Sequence, residues 1–125
     1  MMKLIRMPGC GIAHHCPACN EMHVFYTEMP NANGAFWVWN GSEVLPSFTP
    51  SMLITADFAP EDGGKFVCHY FLKAGKLQYL NDCTHTLKGQ TVALPDLPIR
   101  LGTPMQIAAN MLAAEGAQEA KVTGV

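Results

Sequence analysis

The residues best suited to chemistry in this chain are its cysteines and histidines. Cys16-Pro17-Ala18-Cys19 is a C-x-x-C pattern, in which two thiolates project from one tight turn at the spacing a tetrahedral ion needs. His23 follows four residues later, and Cys68-His69 and Cys83-Thr84-His85 stand downstream. Four or more soft or borderline donors can therefore converge, a set that suits zinc. Cys16, Cys19, Cys68 and Cys83 rank first as ligands, with His85 next and His23 and His69 as runners-up. Cys83-x-His85 chelates if both side chains point inward, whereas His69 alternates away from Cys68 in an ordinary strand and would serve a different ion. An alternative keeps His23, His69 and His85 as an open three-histidine zinc site with water in the fourth place, as in hydrolytic zinc enzymes, with Glu21, Asp82 or Asp96 as acid–base helpers. Against both stands the plain reading of buried core thiols. Cys10, His14 and His15 fall outside the ligand spacing and read as an exposed loop.

The elements that must position these groups are mostly strands. Cys10 to His23 reads as a loop or knuckle, and His23 to Glu28 as a short strand closed by the turn signal Met29 to Gly34. Ala35 to Trp39 and Met52 to Phe58 are runs of strand formers. Trp37 and Trp39 share one face and Phe36 and Val38 the other, so the tryptophans serve as core or as an interface. Phe66 to Leu72 and Lys76 to Asp82 flank Ala74-Gly75 as a hairpin that pairs Tyr70 with Tyr79 and Lys73 with Lys76. This register puts Cys68, Tyr70 and Leu72 on one face with Leu77 and Tyr79, and His69 and Phe71 on the other. A second strand continued to Cys83 would bring that thiol toward Cys68; a helical turn begun at Asp82 would rotate His85 instead. Gln90 to Leu94 is a further strand. Thr103-Pro104-Met105-Gln106 resembles a capping box and opens a helix over 103–115, followed by a flexible tail over 116–125.

The expected fold is thus mainly β: one domain over 1–125, a small metal-stabilised antiparallel sheet over about 10–101 with a C-terminal helix. A chain of 125 residues is long enough for one buried core. Its net charge of -2, with thinly spread Lys and Arg, gives no basic footprint for nucleic acid. No apolar run approaches the roughly 20 residues that span a bilayer, and no signal core follows the start. An odd count of five cysteines fits a reducing compartment, so a cytoplasmic location is expected. The strand–helix alternation of thioredoxin-like dithiol proteins is missing.

Cys16-Pro17-Ala18-Cys19 with His23, Trp39-Asn40-Gly41, Pro46 to Ser51, Cys68-His69, and Asp82-Cys83-Thr84-His85 through Gly89-Gln90-Thr91-Val92 to Leu94-Pro95 together resemble a family of small phage and prophage proteins often labelled ammonia monooxygenase. The resemblance covers roughly 16–98, with Tyr70 a departure from it. It implies a phage origin, a host-cytoplasmic or virion-associated setting, and one functional set comprising Cys16, Cys19, His23, Cys68, His69, Cys83 and His85. It brings no reaction; the monooxygenase label describes a membrane-embedded copper enzyme and does not suit a chain without a membrane span. The function expected is a zinc-stabilised module that binds another phage or host protein, with a metal-dependent hydrolase as the alternative.

Overall fold

The computed structural model describes residues 2–97 and 121–124. Among these described residues ten strands form three antiparallel sheets. The first sheet holds β1 (Ile5–Met7), β2 (Gly11–Cys16) and β3 (Glu21–Tyr26) in that order. A two-stranded ribbon pairs β4 (Val38–Trp39) with β5 (Phe48–Thr49). The largest sheet contains β6 (Met52–Asp57), β7 (Lys65–Lys73), β8 (Lys76–Tyr79), β9 (Thr91–Ala93) and β10 (Lys121–Gly124), in the order β10-β6-β7-β8-β9. No helix among the described residues is long and apolar enough to cross a membrane.

The hairpin of β7 and β8 forms in the expected register, with Tyr70 opposite Tyr79 and Lys73 opposite Lys76. Its two-residue turn needs positive φ at both positions, and Ala74 (47°) and Gly75 (77°) supply it. Glycine meets this demand freely, whereas alanine adopts it only because the strands and the Ala74 N–H bond to Ser47 Oγ (2.8 Å) hold it there. Alternation along β7 then sends Cys68, Tyr70 and Leu72 into the core and turns His69 and Phe71 to the opposite face.

The core lies between the first sheet and the inward face of the large one. Hydrogen bonds from His14 Nε2 to Tyr70 Oη (2.7 Å) and between Cys16 Sγ and Tyr79 Oη (3.0 Å) cross this gap. Beside them Phe25 stacks on Phe48 at 4.1 Å, and Trp37 meets Phe25 edge-on at 5.5 Å. Gly11 sits where β2 passes closest to β3, since a Cβ there would collide with the Phe25 carbonyl oxygen. Trp37 is buried and Phe36 and Val38 are exposed, so the tryptophan face is the core face.

Several expectations change. The stretch from Cys10 to His23 is a β-hairpin, with only the tip between Cys16 and Glu21 left as a knuckle. His14 and His15 are buried in β2, because all six of its residues are enclosed and the usual polar-out alternation is absent. The strand after the Ala74-Gly75 turn stops at Tyr79. The chain then turns, with the Cys83 N–H donating to the Leu80 carbonyl at 3.3 Å, so Cys83 is not reached by strand continuation. Only Val38–Trp39 of the expected Ala35 to Trp39 strand is paired. Lys121–Gly124, expected in a tail, pair along β6 from Thr55 to Met52. The helix expected over 103–115 lies outside the described residues.

Candidate functional site

The knuckle and β3 bring Cys16, Cys19 and His23 together, with one potential ligand atom from each lying within 4.8 Å of the others. The register explains the meeting. Cys16 pairs with Glu21 and His14 with His23, so Cys16, His14 and His23 share one face, while Cys19 returns from the turn, where Asn20 adopts a positive φ of 54°. Cys68 enters from β7 across the core and hydrogen-bonds with both Cys16 and Cys19. Bonds from Cys19 and then Cys68 hold the Cys16 thiol far below its usual pKa despite burial. Those same bonds, together with burial, push Cys19 and Cys68 up, the chief partner in each case being Cys16. A cation that displaced the protons shared among these sulfurs would stabilise all three as thiolates.

The surroundings suit an ion. His23 Nδ1 bonds to Tyr70 Oη (2.9 Å), which leaves Nε2 as the nitrogen to ligate. Tyr70 also takes His14 Nε2, and burial, followed by the neighbouring His23, lowers the His14 pKa to about 3, so this ring stays neutral. Cys16 and His23 are buried and Cys19 is half-buried, and with Cys68 added the donors would have the composition of a structural four-coordinate site.

The remaining predicted ligands are placed differently. His85 packs its ring edge-on to Tyr79 (4.8 Å), behind the hydroxyl that reaches Cys16. Its Nδ1 accepts the Leu87 N–H (3.2 Å), so in the neutral ring the buried Nε2 carries the proton and is a donor. Cys83 turns its thiol to β7: the His69 N–H donates to Cys83 Sγ (3.2 Å) and the Cys83 S–H donates to the His69 carbonyl (3.1 Å). Burial pushes the Cys83 thiol up, which keeps it protonated for that second bond. Cys10 packs against the core, and all five cysteines are free thiols.

His69 occupies a second constellation, on the far face of β7. Ser51 Oγ lies 3.0 Å from His69 Nε2, and His69 Nδ1 lies 2.8 Å from Asp82 Oδ2. A carboxylate only accepts, so His69 Nδ1–H donates to Asp82 Oδ2, Nε2 presents its lone pair, and the Ser51 hydroxyl donates to it. The placement follows from pairing. Leu53 is opposite His69, and Ser51, two residues before Leu53, falls diagonal to the histidine on the same face. Asp82 comes from the turn that ends the hairpin. The Trp37 indole N–H holds the Ser51 carbonyl at 3.1 Å. Ser51 is 1% exposed, while the His69 and Asp82 side chains are 14% and 56% exposed, so the relay runs from an enclosed hydroxyl to a solvent-facing carboxylate.

Sequence reasoning missed Ser51. The sequence shows the Pro46 to Ser51 motif, offers Asp82 as a metal-site helper or a turn-opening cap, and turns His69 away from Cys68. The missing step was the register of Met52–Asp57 against Lys65–Lys73, which alone puts Ser51 beside His69.

The model of a family described as bacterial ubiquitination-like system serine protease (BubE) matches residues 3–80, more than half of the chain. The chain belongs to the BubE family. The BubE match runs from β1 to the end of β8 and includes Cys16, Cys19, His23, Ser51, Cys68 and His69, with Asp82 just past its end. No curated protein and no solved structure matches this BubE chain.

Proposed function

We propose that this chain is a serine protease in which Ser51 is the nucleophile, His69 the general base and acid, and Asp82 the group that orients His69. The observation that carries the reading is the unbroken relay from Ser51 Oγ through His69 to Asp82 at 3.0 and 2.8 Å, built from three separate segments. The family description, a serine protease of a bacterial ubiquitination-like system, supports it.

The chemistry follows from the proton positions. As Ser51 Oγ forms a bond to the substrate acyl carbon, its proton passes to His69 Nε2, and the Asp82 carboxylate stabilises the imidazolium. His69 then gives that proton to the leaving amine as the C–N bond breaks. A water molecule enters, His69 takes its proton as the water oxygen bonds to the acyl carbon, and His69 returns that proton to Ser51 Oγ as the ester C–O bond breaks. Enclosure of Ser51 keeps competing water from the hydroxyl and strengthens the interaction with His69. The Cys16, Cys19, Cys68 and His23 cluster, in this reading, holds zinc as a structural staple between the sheets. Free thiols suit a reducing, cytoplasmic setting.

The function expected from the sequence, a non-enzymatic zinc-stabilised module that binds another protein, keeps the zinc and gives Ser51 no chemical task. A serine-directed fluorophosphonate separates the two. One equivalent is expected on the Ser51 peptide by mass spectrometry, with labelling abolished in Ser51→Ala and His69→Ala while both variants stay folded. Absence of labelling on folded wild-type protein, or labelling that survives Ser51→Ala, defeats the protease reading.

A further inference from the structure

We infer that Cys83 is a positioning residue for the relay: its thiol fixes the His69 backbone and, through the adjoining residue, holds Asp82 against the His69 ring. The inference rests on the protease reading above. β8 pairs with β7 only as far as Tyr79 opposite Tyr70, and the Leu80 N–H still reaches the His69 carbonyl (2.9 Å). The next ladder bond would run from the His69 N–H to the Leu80 carbonyl. That carbonyl instead takes the Cys83 N–H in the turn (3.3 Å). The Cys83 sulfur fills the gap, accepting from the His69 N–H and donating to its carbonyl. One residue on, Thr84 does the same for Val67: its N–H donates to the Val67 carbonyl (2.9 Å), and its Oγ1 accepts the Val67 N–H (3.0 Å).

Two side chains thus tie the 82–84 segment to β7 where the strand has ended. Asp82 is largely exposed, and its one bond to His69 would not by itself keep an exposed acid in place. The neighbouring buried thiol supplies that constraint. A core thiol would act by volume alone, and a metal ligand would act through the ion; a clamp acts through its hydrogen bonds. The three roles respond differently to substitution.

The test compares Cys83→Ser, which keeps a donor and acceptor, with Cys83→Val, which fills the space and leaves the His69 N–H unpaired. The maximal inactivation rate of the full-length protein by fluorophosphonate is expected to fall roughly 10–100-fold in Cys83→Val, with half-saturation unchanged, since small misplacement of a reacting group costs about that much. Cys83→Ser is expected within about 3-fold of wild type, on the view that its hydroxyl replaces both bonds. The downfield proton resonance of the His69 Nδ1–H···Asp82 bond is expected to weaken in Cys83→Val and persist in Cys83→Ser. Should Cys83→Val not fold, Cys83→Ala takes its place in the same contrast. A valine variant as fast as wild type, a serine variant as slow as valine, or metal lost from Cys83→Ser each overturns the clamp. Failure of wild-type protein to label at Ser51 instead overturns the protease reading beneath it.

Discussion

The two faces of β7 carry opposite chemistry within three residues. Cys68 and Tyr70 point into the sandwich, where the Tyr70 hydroxyl bonds to His14 and His23 and the Cys16 thiol is held far below its usual pKa. His69 points the other way, into a relay that opens by degrees to solvent. Low dielectric on the inner face makes each uncompensated charge costly, so a cation that neutralises several thiolates gains most there. On the outer face His69 is held between Ser51 and Asp82 with its side chain partly open to solvent. One strand can host both because successive side chains alternate, and the candidate metal face is joined to the proposed catalytic face by the peptide bond between Cys68 and His69.

The most severe way to break the comparison is to remove the inner-face ion. Zinc in proportion to the protein is expected on elemental analysis, and a strong chelator or Cys16→Ser is expected to unfold the sandwich. Structural zinc sites contribute on the order of 10 kcal/mol apparent binding free energy in small domains. Thermal melting with and without chelator checks this, and a melt unmoved by metal loss would separate the two faces altogether. On the outer face, Asp82→Asn is expected to slow Ser51 acylation roughly 10²–10³-fold, less than for a fully buried triad aspartate because Asp82 is more than half exposed. Metal content and melting temperature are expected to stay near wild type, so acylation kinetics and elemental analysis on one preparation decide whether the faces act independently.

A smaller effect links the faces through the core. Tyr70→Phe removes the hydroxyl shared by His14 Nε2 (2.7 Å) and His23 Nδ1 (2.9 Å). Stranding two buried ring nitrogens is expected to cost about 2–4 kcal/mol in chemical denaturation and about 10–100-fold in zinc affinity by competition with a chromogenic chelator. The Ser51 acylation rate of the folded, metal-loaded fraction is expected to change little.

On the inner face the Cys16 and Cys19 pair was legible in the sequence, whereas His23 ranked behind Cys83 and His85 and joins the pair, and the outer face was not legible, for a physical reason. A C-x-x-C knuckle encodes two ligands within four residues, and the Ala74-Gly75 turn encodes the facing of Cys68, so local spacing carries most of that site. Ser51, His69 and Asp82 meet only through the pairing of β6 with β7 across the Ala59 to Gly64 loop and through the turn that ends β8. No short motif records such a register. Histidines misled in a related way. His14 and His15 read as solvent-loving, yet β2 is enclosed on both faces and His14 is satisfied at Nε2 by a tyrosine 56 residues away. Cys83 was legible as a thiol near the hairpin end but not as a clamp, because its partners are backbone groups that any sequence would offer.

The mildest test concerns the contact that couples packing to the nucleophile. Trp37 is buried against Phe25 of β3, the strand that also carries His23, and its indole N–H holds the Ser51 carbonyl at 3.1 Å. Trp37→Phe keeps much of the packing and deletes that bond. Stability is expected to fall by about 1–3 kcal/mol, the cost of an unsatisfied carbonyl plus a small cavity. If the indole also sets the Ser51 backbone, acylation is expected to slow by roughly 3–10-fold with no change in metal content, as small displacements of a nucleophile do. A variant that loses stability but acylates at the wild-type rate would show that β6 and His69 alone place Ser51. The catalytic face would then owe its geometry to the strand ladder and nothing to the aromatic core beneath the ribbon.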